Sequence, residues 1–219
     1  MPPSDLRVLG RADSSNVQAV MWGAAELGLS PTREDYGHRF GGLDTLEYGS
    51  LNPHRRVPTL IDGETVVWES CAILRYLASA YGDGGPFWPS DPADRAKVDM
   101  WAEWAKHALA VAFTGPIFWS RVRTAAGDRD EAALVRAIAQ FEASLNTLAP
   151  YTIKAQWILG PNLTLADIVA GHSLYRYFTI DIPRNPPPLI EAYYDRLTNR
   201  PAYAEHVMVS YAALAHPEA

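Results

Sequence analysis

Between Gly82 and Pro92 the chain reads Gly-Asp-Gly-Gly-Pro-Phe-Trp-Pro-Ser-Asp-Pro, and this stretch separates two different hydrophobic grammars. Glycine and proline at that density deny both helix and strand, so the segment reads as a linker. Before it, short β-like runs alternate with helical ones. After it, no strand-like alternation appears and the apolar residues recur only at helical spacing. Any fold for this chain must therefore place a mixed α/β unit ahead of an all-helical one.

In the first half, Leu6 to Leu9 is a short apolar run ending at Gly10. Val17, Val20, Met21, Ala24 and Gly28 then trace the inner stripe of an amphipathic helix. Gly28 supplies its C-terminal stop. A second short strand is expected near Thr32 to Tyr36, and 40–50 is irregular, with at most one short helix. Val57 to Ile61 and Thr65 to Trp68 read as a hairpin about Asp62-Gly63. A helix from Glu69 to Tyr81 closes the unit. The order β-α-β-α-β-β-α implies a mixed sheet covered by helices, the order of a thioredoxin-like domain.

The second half opens with one long helix from Asp94 to about Phe113. A second, Asp130 to Leu148, carries Leu134, Ile138, Phe141, Leu145 and Leu148 as a packing seam. Thr164-Leu-Ala-Asp167 reads as a capping box, with Leu163 and Ile168 at the staple positions. Arg184-Asn-Pro-Pro-Pro188 forces an extended approach to a helix at Leu189 to Leu197, and Pro201 opens the last one. The expected division is an α/β domain over 1–82, a linker over 83–92 and a helical-bundle domain over 93–219.

Charge and composition exclude several functions. A net charge of −6 and a pI near 5.5 lack the electrostatic footprint of a general nucleic-acid binder. No apolar run approaches the roughly 18 residues of a membrane span. The opening MPPSDLRVLG has no basic region followed by an apolar stretch, so a cytosolic protein is expected. Cys71 is the only cysteine, which rules out an internal disulfide and a thiolate metal cluster. With Ile73, Leu74 and Leu77 close by, it reads as a small buried hydrophobe. The six histidines have no i, i+4 pair, and no metal site is read.

Three places carry candidate chemistry. Gly10-Arg-Ala-Asp-Ser-Ser-Asn16 puts hydroxyl and amide groups where the first helix has free N–H donors and partial positive charge. Asp13, Ser14, Ser15 or Asn16 could simply cap it, or the helix start could receive an anionic ligand. Arg56-Val57-Pro58-Thr59 brings proline into a strand. A cis bond there would leave the Val57 N–H and C=O free for a peptide-like ligand, and a plain trans proline at the strand start fits equally. Trp68-Glu69-Ser70 places a carboxylate and a hydroxyl at a helix start, which capping also explains. Arg55 and Arg56 read as loop charges. Trp101, Trp104, Phe113, Phe118 and Trp119 serve either as core or as lining of the junction between the halves.

These pieces together resemble the cytosolic glutathione S-transferases, in particular their bacterial serine-type members, from about Leu6 to Met208. The resemblance rests on GRADSSNVQAVMWGAAELGL, GHRFGG, LNPHRRVPTLID, VVWESCAILRYLASAYG, FWPSDPADRA, LTLADI and LTNRPAY, in that order. It implies glutathione as cosubstrate, a small and largely hydrophobic electrophile, and a homodimer, with no nucleic-acid or membrane partner. Ser14 falls at the catalytic hydroxyl, with Ser15 and Asn16 beside it. Val57 would pair with the cysteinyl backbone, and Pro58 would be the cis-proline. Glu69 and Ser70 would grip the γ-glutamyl end, and Arg55 or Arg56 the glycyl carboxylate. Alternatives on the same fold are reduction of disulfides or peroxides, with Asn16 as amide donor, and a non-catalytic binding module.

Overall fold

The computed structural model describes residues 6–152 and 156–217. The first half contains β1 (Leu6–Leu9), α1 (Ser15–Glu26), β2 (Thr32–Glu34), α2 (Leu46–Leu51), β3 (Thr59–Asp62), β4 (Thr65–Trp68) and α3 (Ser70–Tyr81). The sheet order is β2-β1-β3-β4. β1 runs parallel to β2, antiparallel to β3, and β3 is antiparallel to β4. This mixed four-stranded sheet is the thioredoxin-like arrangement expected from the element order.

Differences of register have local causes. β3 begins at Thr59, two residues later than its apolar run, because Pro58 has no N–H to give the ladder. The hairpin loop is Gly63-Glu64, since Asp62 still pairs with Thr65, and Gly63 takes the positive φ of 57° that the turn needs. Asp62 is thus a strand residue, and its carboxylate accepts from the hydroxyls of Tyr76 and Tyr81 on α3. The one short helix of the irregular stretch is α2, capped where Thr45 Oγ1 accepts from Tyr48 N–H at 3.1 Å.

α1 and α3 are each buried on two sides. Val17, Val20, Ala24, Ile73 and Leu77 face the sheet, with Leu6, Val8 and Leu60. Ala19, Trp22, Cys71, Leu74 and Ala78 belong instead to the large core of the helical half. The two helices approach closely at Gly23, where a Cβ would stand 2.2 Å from Leu74 Cδ2. Burial pushes the Cys71 thiol up, as its reading as a small hydrophobe requires.

The second half contains α4 (Pro92–Ala105), α5 (Ser120–Val122), α6 (Glu131–Leu148), α7 (Leu165–Gly171), α8 (Leu174–Thr179), α9 (Pro188–Thr198) and α10 (Pro201–His206). α4 starts two residues before Asp94, capped by Asp91 with Pro92 in its first turn. It does not end near Phe113. It continues through two π-helical stretches, Lys106–Val111 and Thr114–Trp119, into α5. The Gly115-Pro116 pair reads as a stop, yet Pro116 lies inside the second wide turn, where i→i+5 bonding accommodates a residue that an α-turn rejects. Thr114 Oγ1 donates to Ala110 O at 2.6 Å, one turn back.

All five seam residues of α6 are buried. The capping box of α7 forms, and Asp167 Oδ2 accepts from Thr164 N–H at 2.8 Å and from Thr164 Oγ1 at 2.9 Å. Asp167 Oδ1 also accepts from Ile158 N–H and Tyr193 OH, each at 3.0 Å, so this carboxylate ties three segments together. Among the described residues, no helix is long and apolar enough to cross a membrane.

Candidate active site

The segment Gly10 to Asn16 folds so that none of its side chains caps α1. Ser14 is the N-cap residue, with extended backbone (φ −90°, ψ 123°), and its carbonyl accepts from Gln18 N–H at 2.9 Å. Its hydroxyl forms no capping bond. The neighbours are engaged elsewhere. Asp13 accepts from Arg11 Nη1 at 3.2 Å and Arg39 Nη1 at 2.7 Å. Asn16 Oδ1 accepts from Lys106 Nζ at 3.1 Å and Ser70 Oγ at 3.3 Å. The N–H groups of Ser15, Asn16 and Val17 therefore meet no acceptor among the described residues, and the plain capping allowed by the sequence is not formed. A helix tip with free donors and a free hydroxyl is a place for an anion.

The Val57-Pro58 bond is cis, the alternative that the sequence left open. Val57 forms no backbone hydrogen bond to the described residues. The turn before it is fixed from behind: Arg56 O accepts from Tyr48 OH at 2.7 Å and Asn52 Nδ2 at 2.8 Å. Glu69 takes φ 70° and ψ 121°, outside the regions comfortable for a side chain-bearing residue. Its carboxylate stands 3.6 Å from His54 Nδ1 and is half exposed. Ser70 is buried beside Asn16.

Two clefts gather these residues. One of about 330 Å³ is lined by Ser14 and Ser15, and one of about 130 Å³ by Pro58, Glu69 and Ser70. Asn16, Arg56 and Val57 line both. A single extended ligand can therefore run from Ser70 past Val57 to Ser14. Arg55 lines neither. Its Nη1 donates to Leu43 O at 2.9 Å and Thr45 O at 2.8 Å, holding the turn before α2.

The helical half contributes residues that sequence reasoning missed. Lys106 Nζ also donates to Ser70 Oγ at 3.2 Å. Arg176 Nη2 donates to Asp13 O at 2.7 Å, across 163 residues of chain. Arg123 lines the larger cleft, as do Phe118 and Trp119, two of the aromatic residues that the sequence offered as junction lining. Trp101 and Trp104 do not: they pack on one another, and Trp101 on Tyr151, with ring centroids 5.2 and 4.6 Å apart. Phe113 is core, against Phe141 and Tyr177. Burial pushes the Arg176 guanidinium down to about 10, with Arg11 acting in the same direction, so it remains charged at neutral pH. Burial likewise lowers Arg11, opposed by Asp13 and reinforced by Arg123 and Arg39.

Residues 4–79 match the family model described as glutathione S-transferase, N-terminal domain, and residues 107–201 that of the glutathione S-transferase C-terminal domain. The chain belongs to the glutathione S-transferase family. It is 34% identical over 202 residues to the glutathione S-transferase GstB of Escherichia coli, covering 91% of this chain and 96% of that protein. Glutathione S-transferase 3 of Zea mays is 29% identical over 208 residues, covering 92% and 93% respectively. The theta-class glutathione S-transferase of Xanthomonas axonopodis pv. citri, solved with glutathione bound, is 38% identical with a TM-score of 0.87, over 96% of this chain and 99% of that one.

Proposed function

We propose that this transferase activates the thiol of glutathione with the Ser14 hydroxyl and transfers the sulfur to a small electrophile in the larger cleft. What carries the reading is the Ser14 side chain, which faces the cleft at the tip of α1 with no intramolecular duty. A free thiol titrates near 8.5, so little of it is thiolate at neutral pH. A hydroxyl donating to sulfur favours the anion, and the helix tip acts in the same sense. A depression of about two units corresponds to roughly 2.7 kcal/mol, within reach of a charge-assisted hydrogen bond plus a helix terminus.

The remaining roles follow the run of the clefts. Val57 offers its free backbone to the cysteinyl residue. Glu69 and Ser70 take the γ-glutamyl end, the carboxylate of Glu69 facing its ammonium and Ser70 with Lys106 its carboxylate. Arg56 rather than Arg55 meets the glycyl carboxylate, since the Arg55 guanidinium is engaged with backbone carbonyls. Ser15 and Asn16 support the sulfur site from the first turn of α1. The sulfur attacks, the leaving group departs with its electron pair, and the thiol proton has already passed to solvent. We further infer a cytoplasmic homodimer built on the division 1–82, 83–92 and 93–219. Exposed Met100 and Val111 on the first helical run offer apolar surface to a partner copy.

Ser14→Ala tests the central step. The apparent pKa of enzyme-bound glutathione should rise and kcat fall, with glutathione affinity little changed. An unchanged pH–rate profile would move the role to Ser15 or Asn16.

A further inference from the structure

The chain carries net charge −6, yet its larger cleft is lined by four guanidinium groups, Arg11, Arg56, Arg123 and Arg176, against one carboxylate, Asp13. Asp13 is already engaged by Arg11 and by Arg39, and cannot neutralise the rest. Two of the other guanidiniums, those of Arg123 and Arg176, rest on rings. Arg123 Cζ lies 5.7 Å from the Trp119 centroid and Arg176 Cζ 4.4 Å from that of Phe118. A ring face attracts the cation while leaving its N–H donors unused. The Arg123 guanidinium makes no hydrogen bond to the described residues, its backbone N–H alone donating to Trp119 O at 2.8 Å. Arg176 is 3% exposed, and the Nε of Arg176, like that of Arg11, is buried without a partner. Like charges held this way, with donors to spare, disfavour the empty cleft and favour one that holds an anion.

The carboxylates of glutathione do not meet this demand. On the function proposed above they are met by Arg56 and, at the other end, by Ser70 and Lys106. Arg11, Arg123 and Arg176 line only the larger cleft, the one that holds Ser14. We infer that the electrophile carries its own carboxylate, held by Arg11 and Arg123 beside the thiolate, with Arg176 positioning the Asp13 backbone. This inference rests on the proposed function and departs from the largely hydrophobic substrate that the family resemblance implied. The cleft must also admit the cysteinyl sulfur, so the electrophile is short. With a short α-halocarboxylate as the electrophile, a carbon–sulfur bond forms as the carbon–halogen bond breaks and the halide leaves with the electron pair. The guanidiniums neither gain nor lose a proton.

Iodoacetate and iodoacetamide test this, having the same size and leaving group and differing in charge. Each kcat/KM with glutathione is divided by the uncatalysed rate constant for the same reagent. The wild type should favour iodoacetate by about tenfold or more, the scale of a charge-assisted contact. In Arg123→Gln that ratio should collapse toward one. An unchanged ratio, with both rates lowered equally, would assign the guanidinium to the thiolate and overturn the inference. So would a wild type without preference. A second readout needs no variant: S-carboxymethylglutathione should bind the wild type about tenfold more tightly than S-carbamoylmethylglutathione, and equal affinity overturns the inference. Turnover of iodoacetamide without preference for iodoacetate sinks this inference alone. Failure of both reagents together with failure to bind glutathione sinks the proposed function and this inference with it.

Discussion

Lys106, on the first wide turn after α4, donates from Nζ to Ser70 Oγ at 3.2 Å, joining the helical half to the first residue of α3. The same ammonium reaches Asn16 Oδ1 at the start of α1. One cation thus gathers the starts of both site helices, where their free N–H groups lie.

Lys106→Met should raise KM for glutathione by about tenfold with a smaller change in kcat, because it removes a charge-assisted donor from the γ-glutamyl end. Initial rates at a saturating second substrate measure it. An unaltered KM would leave Lys106 as a tether only.

Glu69→Gly should separate stability from binding. The backbone at φ 70° is strained for glutamate and open to glycine, so the variant should melt no lower than the wild type and gain up to about 1 kcal/mol. Its KM for glutathione should rise, since the carboxylate is gone. A lower melting temperature together with unchanged KM would reverse the assignment.

His172 sets an acid limit on stability. It is fully buried, and because a carbonyl only accepts, Nδ1 carries the proton that is donated to Val169 O at 2.9 Å. Nε2 has no partner. Burial, then the charge of Lys106, pushes the imidazole down to about 4. The unfolded chain binds this proton at higher pH than the folded one, so the stabilisation is complete above about pH 6.5 and shrinks as pH falls toward 4. Between pH 7 and pH 5 the loss from this residue is about 2 kcal/mol. Urea titrations at the two pH values should show that difference, and His172→Phe should reduce it.

Asp167→Asn should destabilise by about 2–4 kcal/mol, since four donors converge on this buried carboxylate and an amide offers only one acceptor oxygen. Equilibrium denaturation measures the change. Burial pushes the Asp167 carboxyl up while these donors pull against it. A loss below about 1 kcal/mol would show that the network is dispensable.

Local chemistry made much of this molecule readable from its residues. The Gly10 to Asn16 cluster, the hairpin turn at Gly63 (one residue later than the Asp62-Gly63 pair suggests) and the Thr164 capping box each carry their signal within a few positions. Arg55 and Arg56 could not be told apart, because their roles depend on which backbone carbonyls lie within reach. The failure at Phe113 was of another kind: Gly115-Pro116 has the composition of a stop, while the helix beyond it is packed on α6, a tertiary contact that no local pattern announces. Lys106, Arg123 and Arg176 left no trace, since each is one charge on a helix whose significance comes from a partner tens of residues away. Arg11 stood inside a motif that had been singled out, yet its hydroxyl neighbours drew the attention.

The two wide turns of the helix that crosses the site have an architectural consequence. A π turn spends about one residue more than an α-turn on the same full revolution, so the extra residue bulges and those after it keep their faces. Removing a single residue from 106–111 would let an ordinary spiral re-form with the downstream segment still on its present face. Phe118, Trp119 and Arg123 would stay on the wall of the cleft, whereas the same deletion in a regular α-helix would swing them about 100° away from it. The wide turns thus make this wall of the chamber tolerant of a change in chain length that would dismantle it on a regular helix.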